Sequence, residues 1–586
     1  MISVSGNYWE EARIDQRIVD KIKIDHDLED LIARIVIFKN FNDEEIFSLS
    51  DNIELKNPFS KTKDFLDAVQ VLDNSISNNE KICIIGDYGV DGCVSASLIV
   101  KLLKLINAEH FYYIPNRFTD GYGSTKSLFK KIISKKPDLV IMVDNGSNSI
   151  EAVNFLNKRK VKSIIIDHHE IYRPYPKSNA LINPKKDCDY KEFNYFCTGV
   201  LTYFLIDIYL KKKNLKIKFS NNLDLVLLTI VADIMPLRSY NRIIAKEVLQ
   251  NINFNQNYFF KKLFNIKNIK KPVEIDDFSF LFAAILNSAG RLNDPNIVVK
   301  LLTTNDEILK NKLINKLVLL NERRKIIEKN ILMKINLKKI KSDINLLIIV
   351  EDDNMNEGLI GIIASKIKTF FNKPTIIITK SENIYKGSGR STTDFPMGKY
   401  IKSALDNKLL VTGGGHNLAA GFTLKKSKLT DFKKFLYNRI NKHNQKTKNR
   451  YLSRISLSSV NKKLISSLAI LKPFGEGNQS PFFLIENVNI IKPKLINKKI
   501  ISCFIKNKSG KMISAISFNT LETDLVNNIL YNQNEISLII QLKENFWNNK
   551  KSVQAIIIDI LITSNKAWLI LIYTIKSSNS VPSSIG

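Results

Sequence analysis

The chain has 586 residues, 44% of them hydrophobic, long enough for three or more domains with ample core in each. Its 88 Lys and Arg against 57 Asp and Glu leave a formal net charge of +31. That balance favours a polyanionic partner, although Lys, Asn and Ile are abundant throughout, as AT-rich coding produces, and account for part of it. No window approaches the roughly 18 consecutive apolar residues of a membrane span, so a membrane protein is excluded at this level.

Residues 1–75 read as a helical preface: Leu28–Ile37 places apolar residues at helical spacing, and Phe65–Leu72 leads towards a first strand. Met1–Gln16 carries Glu10, Glu11 and Asp15 and lacks an apolar stretch, so no signal peptide is predicted. Five cysteines, none in a Cys-x-x-Cys pair, suit reduced thiols and a cytoplasmic location.

An α/β domain is predicted over 76–240. Lys81–Gly86 is an apolar strand running into Asp87-Tyr88-Gly89-Val90-Asp91-Gly92, and Leu139–Val143 is another, ending in Asp144-Asn145-Gly146. Ile164-Ile165-Ile166 ends in Asp167-His168-His169, the one adjacent histidine pair, and the longer run Leu225–Ala232, helix or strand, ends in Asp233. Helical runs at Ser95–Leu105 and Ile150–Lys158 alternate with the strands, which predicts a parallel sheet with helices on both faces. In such sheets ligands collect at the carboxyl ends of the strands. One Asp-His-His at a strand end serves as readily for capping as for a metal. Four acidic or imidazole-bearing ends are hard to explain by packing, and carboxylates with His suit Mn²⁺ or Mg²⁺. Arg117, closing Tyr112-Tyr113-Ile114-Pro115-Asn116, can grip a phosphate bidentately or form a surface salt bridge.

A helical connector follows over 241–340, with Asn287-Ser288-Ala289-Gly290-Arg291-Leu292 as its distinctive block and Asp306–Lys339 as one long helix able to bridge two domains. A second α/β domain is predicted over 341–445, with strands at Leu346–Val350 and Pro374–Thr379 and a helix at Gly361–Ile367. Gly387-Ser388-Gly389-Arg390-Ser391 and Gly413-Gly414-Gly415-His416 read as glycine-rich turns offering backbone N–H groups, a guanidinium and an imidazole. From 450 to 575 short strand-like runs separated by polar turns suggest an all-β barrel, with Phe474, Phe482, Phe483 and Phe504 as stacking candidates or core. Trp568–Ile575 reads as a last strand before a Ser-rich tail at 576–586.

These blocks carry a resemblance. GDYGVDG (86–92), IPNRF (114–118), VDNGS (143–147), IDHHE (166–170), TIVADIMPL (229–237) and NSAGRL (287–292) are followed in order by EGLIGIIASKI (357–367), GSGRS (387–391), GGGHNLAAGFTL (413–424) and LKPFGEGNQSPFF (471–483). The chain resembles the DHH phosphoesterase family, and within it the long single-strand-specific 5′→3′ exonucleases, from about residue 80 to 485. The resemblance implies a DHH domain with a parallel sheet and a DHH-associated domain joined by a long helix, then a C-terminal OB-fold. It implies Asp87, Asp91, Asp144, His168 and Asp233 as ligands of two Mn²⁺ or Mg²⁺ ions, with Asp144 shared. Asp91, Asp144, His168, His169 and Asp233 become the catalytic set. Arg117, His169, Arg291, Ser388, Arg390 and His416 become contacts to the nucleic-acid phosphates, and Asp167 a partner that orients an imidazole. The implied partners are single-stranded DNA, a single-strand-binding protein and a helicase, for a monomer.

One position departs from the family. Its first block normally reads Asp-Tyr-Asp-Ala-Asp-Gly, with the middle carboxylate on a metal; here that position is Gly89. Three outcomes follow: an impaired centre, water in place of the carboxylate, or an error in the sequence. A small-substrate phosphoesterase is the other enzymatic reading, against which the chain's length stands. A degenerate protein that binds DNA without cutting it is the non-enzymatic one.

Overall fold

A computed structural model describes residues 1–562 apart from 50–53, 122, 253–256, 270, 336–339, 341–345, 382–383, 393–394, 441–447, 497–499, 519–522 and 548–549. Contacts divide the chain into two units, Glu54–Asn444 and a discontinuous one made of Met1–Ile53 with Gln445–Gly586. The expected preface over 1–75 is thereby divided. Its strand β1 (Tyr8–Glu11) and helices Gln16–His26, Asp30–Phe38 and Asp43–Phe47 belong to the discontinuous unit, whereas helix Lys63–Ser77 belongs to the other.

In the continuous unit, β2 (Ile82–Gly86), β3 (His110–Tyr113), β4 (Leu139–Val143), β5 (Lys162–Ile166) and β6 (Ala180–Ile182) form a parallel sheet in the order β3-β2-β4-β5-β6. Both β2 and β4 are buried along their whole length, as unbroken apolar runs require. Alternate side chains serve opposite faces: Ile82 and Ile84 join the core with helices Lys63–Ser77, Val90–Leu105 and Thr198–Lys212, and Cys83 and Ile85 join a smaller core with helices Lys126–Ile132 and Ile150–Asn157. The run ending in Asp233 is helix Leu223–Ala232. Buried on nearly every side, it shows no polar face from which a period could be read.

Helix Glu307–Lys334 is 28 residues long, about 42 Å at 1.5 Å per residue. Asp306 caps it by accepting from the backbone N–H groups of Ile308 and Leu309. Its first half buries Leu313, Ile314 and Leu317 in the core of the first sheet, and Ile331 and Leu332 near its end pack with Ile360 and Ile363 under the second. The helix therefore bridges two sheets.

The second sheet contains β7 (Ile348–Glu351), β8 (Thr375–Ser381), β9 (Ile384–Arg390), β10 (Thr412–His416) and β11 (Ala419–Leu424) in the order β10-β11-β9-β8-β7. Only the β7–β8 pair is parallel. The two glycine-rich blocks read as turns are strands. Gly387 and Gly389 face inward, where a Cβ would stand 2.1 Å from the Phe422 ring and 2.8 Å from Met397 Sδ. The missing side chains make room for those two residues, and Ser388 and Arg390 point to the other face.

In the discontinuous unit β12 (Lys448–Tyr451) pairs parallel with β1, and β13 (Ser453–Arg454) pairs with β14 (Phe483–Ile496). β15 (Ile500–Asn507), β16 (Met512–Ser517), β17 (Ile536–Trp547) and β18 (Lys550–Leu561) complete the order β14-β15-β16-β18-β17, and β17 pairs back to β14. Five strands thus close a barrel. Ile32, Ile35, Val36, Ile46 and Leu49 share one core with barrel residues such as Val488, Ile505 and Leu538. Trp9 Nε1 donates to the buried Asp559 on β18 at 3.1 Å, and Asn7 donates to the same oxygen at 3.0 Å. Of the four candidate stackers, Phe483 is fully buried, Phe482 meets Trp9 edge to face, and Phe474 packs on the core; Phe504 is exposed. The strand expected at Trp568 and the tail lie outside the described residues.

Candidate metal centre and phosphate pocket

Each acidic residue is aimed by a different local device. The loop after β2 folds back on itself: a Cβ at Gly92 would lie 2.4 Å from the backbone nitrogen of Asp87, so only glycine lets helix Val90–Leu105 start this close to the strand end. Asp91, in the first turn of that helix, is buried and accepts from the backbone N–H groups of Gly199 and Thr198, both at 2.8 Å. The N-terminus of helix Thr198–Lys212 thus holds one ligand by its free N–H groups. Asp144 ends β4 in the left-handed region at φ 62°, a conformation Asp tolerates better than most residues, and accepts from Thr198 Oγ1 at 3.3 Å. Asp233 caps the C-terminal end of helix Leu223–Ala232.

His168 is the hub. Its Nε2 lies 3.0 Å from Asp233, 3.4 Å from Asp144 and 3.8 Å from Asp91, yet neither buried ring nitrogen completes a hydrogen bond. Asp91, Asp144, His168 and Asp233 each bring a ligand atom within 4.8 Å of the others, and Asp144, His168 and His169 form a second such set. Burial and the neighbouring Asp233 push Asp91 up to about 6, and burial together with Asp91 pushes Asp144 well above the usual carboxylate range. Crowded buried carboxylates of this kind are relieved by a cation. Unsatisfied imidazole nitrogens among three carboxylates fit a divalent ion of the Mn²⁺ or Mg²⁺ kind.

Asp167 stays outside both sets. It accepts from the backbone N–H groups of Ser147, His168 and His169 at 3.1, 2.8 and 3.2 Å and from His169 Nδ1 at 2.8 Å. The imidazole it orients is therefore that of His169. Burial alone would raise Asp167, but the adjacent His169 holds it far below the usual range, and burial notwithstanding Asp167 raises His169 to about 9. Asn183 completes the support, donating to Ser147 Oγ and the His169 carbonyl at 2.7 and 2.9 Å. Asp87 Oδ2 accepts from the Gly89 N–H at 3.2 Å, and Oδ1 is buried without a hydrogen-bond partner.

Beside these carboxylates a cavity of about 170 Å³ is lined by Tyr88, Gly89, Arg117, Asp233, Asn287 and Arg291, among others. Arg117 lies 4.2 Å over the Tyr88 ring, and its buried Nε has no hydrogen-bond partner. Arg291 donates to the Gly358 carbonyl at 3.0 Å. Burial and the charges of Arg117 and Arg390 lower Arg291, and burial and Arg117 lower Arg390. Three guanidiniums this close are stabilised by an anion. Arg390 also donates to Ser388 Oγ at 3.1 Å, and a Cβ at Gly361, in the first turn of helix Ile360–Phe371, would meet both side chains at 3.0 and 3.2 Å. His416 stacks on His169 with ring centroids 6.4 Å apart, its Nδ1 3.6 Å from Glu170. Burial and nearby Lys185 lower it to about 4, so the ring is neutral at pH 7.

The acidic, imidazole and guanidinium residues singled out in the sequence thus gather around one centre, with Asp87 outside both ligand sets, whereas the four candidate stackers belong to the barrel. Sequence reasoning gave no role to Thr198, Gly199, Tyr88 and Ser147. Tyr88 and Ser147 lie inside quoted blocks, but Thr198 and Gly199 act from a distant segment, chiefly through backbone N–H groups, and no local pattern marks them.

Three known families match successive stretches of the chain. Residues 81–230 match the DHH family N-terminal domain, 343–442 the DHHA1 domain, and 453–559 the RecJ OB domain. Fold and centre together define a DHH-type protein with an attached DHHA1 domain. The single-stranded-DNA-specific exonuclease RecJ of Bacillus subtilis is 28% identical over 574 residues, covering 95% of this chain and 71% of that protein. The RecJ of Haemophilus influenzae is 30% identical over 386 residues, 62% of this chain and 67% of that one. The crystal structure of RecJ with Mn²⁺ from Thermus thermophilus superposes with a TM-score of 0.80 at 22% identity, covering 95% of this chain and 80% of that one. The chain belongs to the RecJ family.

Proposed function

We propose that this protein is a divalent-metal-dependent exonuclease that hydrolyses the phosphodiester bonds of single-stranded DNA from the 5′ end. One observation carries the reading: the cavity holding Arg117 and Arg291 shares Asp233 with the buried carboxylate–imidazole cluster. A terminal phosphate bound by the guanidiniums sets the next phosphodiester beside the cluster, which is how a pocket can count from an end. The names of the relatives, single-stranded-DNA-specific exonucleases, support the substrate, as does the match to the RecJ OB domain.

Asp91, Asp144, His168 and Asp233 would hold one ion, and Asp144 with His169 would take part in holding a second. When bound, such ions would supply a hydroxide nucleophile at neutral pH and charge stabilisation for the departing oxygen. The remaining work belongs to side chains. Arg117, braced on Tyr88, and Arg291, anchored to Gly358, grip the terminal phosphate; Ser388 and Arg390 extend that grip. His169, oriented by Asp167, is held ready for that second ion, and neutral His416 backs its ring. A single-strand-binding protein and a helicase are the partners that would supply such an enzyme with single strands from duplex. The enzyme would act as a monomer in the cytoplasm, where its five thiols stay reduced; no helix among the described residues is long and apolar enough to cross a membrane.

Gly89 motivates a second reading, a protein that binds single strands without cutting them. Cleavage of 5′-labelled single-stranded DNA with Mn²⁺ decides. The enzyme reading expects mononucleotide release that Asp144→Ala abolishes while single-strand binding persists. A folded protein that is silent both as it stands and as Gly89→Asp would overturn it.

A further inference from the structure

The two ligand sets are unequal. Asp91, Asp144, His168 and Asp233 provide three carboxylates and an imidazole, whereas Asp144, His168 and His169 provide one carboxylate, already shared, and two imidazoles. Asp87, in the loop just before the helix that carries Asp91, joins neither set, and its Oδ1 is buried with no hydrogen-bond partner. Between them Gly89 contributes only its backbone, as the N-cap of helix Val90–Leu105, and makes no side-chain cap. That N-terminus opens on the cavity of Arg117 and Arg291. Affinity for hard cations follows the number and charge of oxygen ligands. Only Asp233, of the richer set, lines that cavity; Gly89 adjoins the poorer set through Asp87, whose Oδ2 would lie 3.4 Å from a Cβ at Gly89 and whose charge acts on His169 and Asp144.

Resting on the function proposed above, we infer that this chain holds one divalent ion by itself and a second only with substrate. Phosphate oxygens of the bound strand supply the ligands that the protein does not provide at Gly89. Ion binding and DNA binding are then coupled: DNA raises the affinity for the second ion, and by reciprocity the second ion raises the affinity for DNA by the same factor. A carboxylate at position 89 removes the coupling. The backbone there is extended, at φ −69° and ψ 171°, and a Cβ would meet nothing nearer than Asp87 Oδ2 at 3.4 Å. Gly89→Asp is therefore compatible with the fold, and Gly89→Asn is its uncharged control.

The test is equilibrium dialysis of Mn²⁺ against the full-length protein, with and without a 5′-phosphorylated oligonucleotide. In that oligonucleotide the first 3′ oxygen is replaced by a methylene group, so that it cannot be cut yet keeps its phosphate oxygens. The unaltered protein and Gly89→Asn should bind one ion alone and two with the oligonucleotide. Gly89→Asp should bind two without it, its second ion at least about tenfold tighter than in the unaltered protein. Two equally tight ions in the unaltered protein without DNA, or no second ion in Gly89→Asp with unchanged circular dichroism, would overturn the inference and leave the exonuclease reading standing. Failure to bind any Mn²⁺, or identical binding by Asp233→Ala, would overturn the ion centre itself and the inference with it.

Discussion

Asp167 and His169 show how one residue's chemistry is set by another. The carboxylate takes three backbone N–H groups and the His169 Nδ1, so it is fully occupied before any ligand arrives. Asp167→Asn keeps the shape but removes the charge that holds His169 up at about 9. Cleavage should fall by about 10- to 100-fold, the usual range for a lost orienting partner, with single-strand binding nearly unchanged in a filter assay. A pH prediction belongs to the same scale. Asp91, pushed up to about 6 chiefly by burial, is ionised above that value and protonated below it. An ion that binds the ionised form must displace protons below pH 6, so Mn²⁺ affinity should fall as pH drops, by about tenfold per unit for each proton displaced. Calorimetric titration in buffers of different ionisation enthalpy counts those protons.

At the scale of elements, close approach matters more than propensity. Helix Val90–Leu105 begins against Asp87 because Gly92 has no side chain, and helix Ala284–Leu292 reaches the same loop because a Cβ at Gly290 would stand 2.4 Å from the Tyr88 carbonyl. Gly92→Ala and Gly290→Ala should each cost about 3 kcal/mol or more, visible as a lowered midpoint in urea, and should impair Mn²⁺ binding and phosphate binding together. Elements built from unbroken apolar runs were legible in the sequence: β2, β4 and β5 all end where a carboxylate follows. The run before Asp233 was ambiguous because a helix buried on nearly all sides carries no period. The blocks at Gly387 and Gly413 looked like turns because glycine usually marks them; here its absent side chain seats Phe422 and Met397 against strands. The bond from Asp91 to Gly199 spans 108 residues, and nothing local to either end announces it.

At the scale of the molecule, the OB-type barrel is completed by segments from both ends of the chain. Asp559 is the clearest joint, accepting from Trp9 and Asn7. Replacing it by Ala leaves a buried indole N–H unpaired and should cost about 1–3 kcal/mol, read as a lower thermal midpoint for the barrel with cleavage of a dinucleotide unaffected. Deleting residues 450–586 does more than remove a binding module, since Ile32, Ile35, Val36, Ile46 and Leu49 lose the core they share. Limited proteolysis of that deletion should cut first among residues 16–49. Processivity should fall further than single-turnover cleavage at saturating enzyme.

That discontinuity sets an order of events during synthesis. Helices Gln16–His26 and Asp30–Phe38 leave the ribosome first, but the apolar surface they must cover is not made until β14 to β18 follow. At about 5–20 residues per second the wait is on the order of a minute. Throughout it Ile32, Ile35 and Val36 can pack only on other N-terminal residues such as Ile22, Ile46 and Leu49. The continuous unit can fold in the meantime, so the ion centre can be complete while the barrel is still open. A ribosome stalled late in translation would present such a half-finished molecule, and its N-terminal helices are where a chaperone would be found.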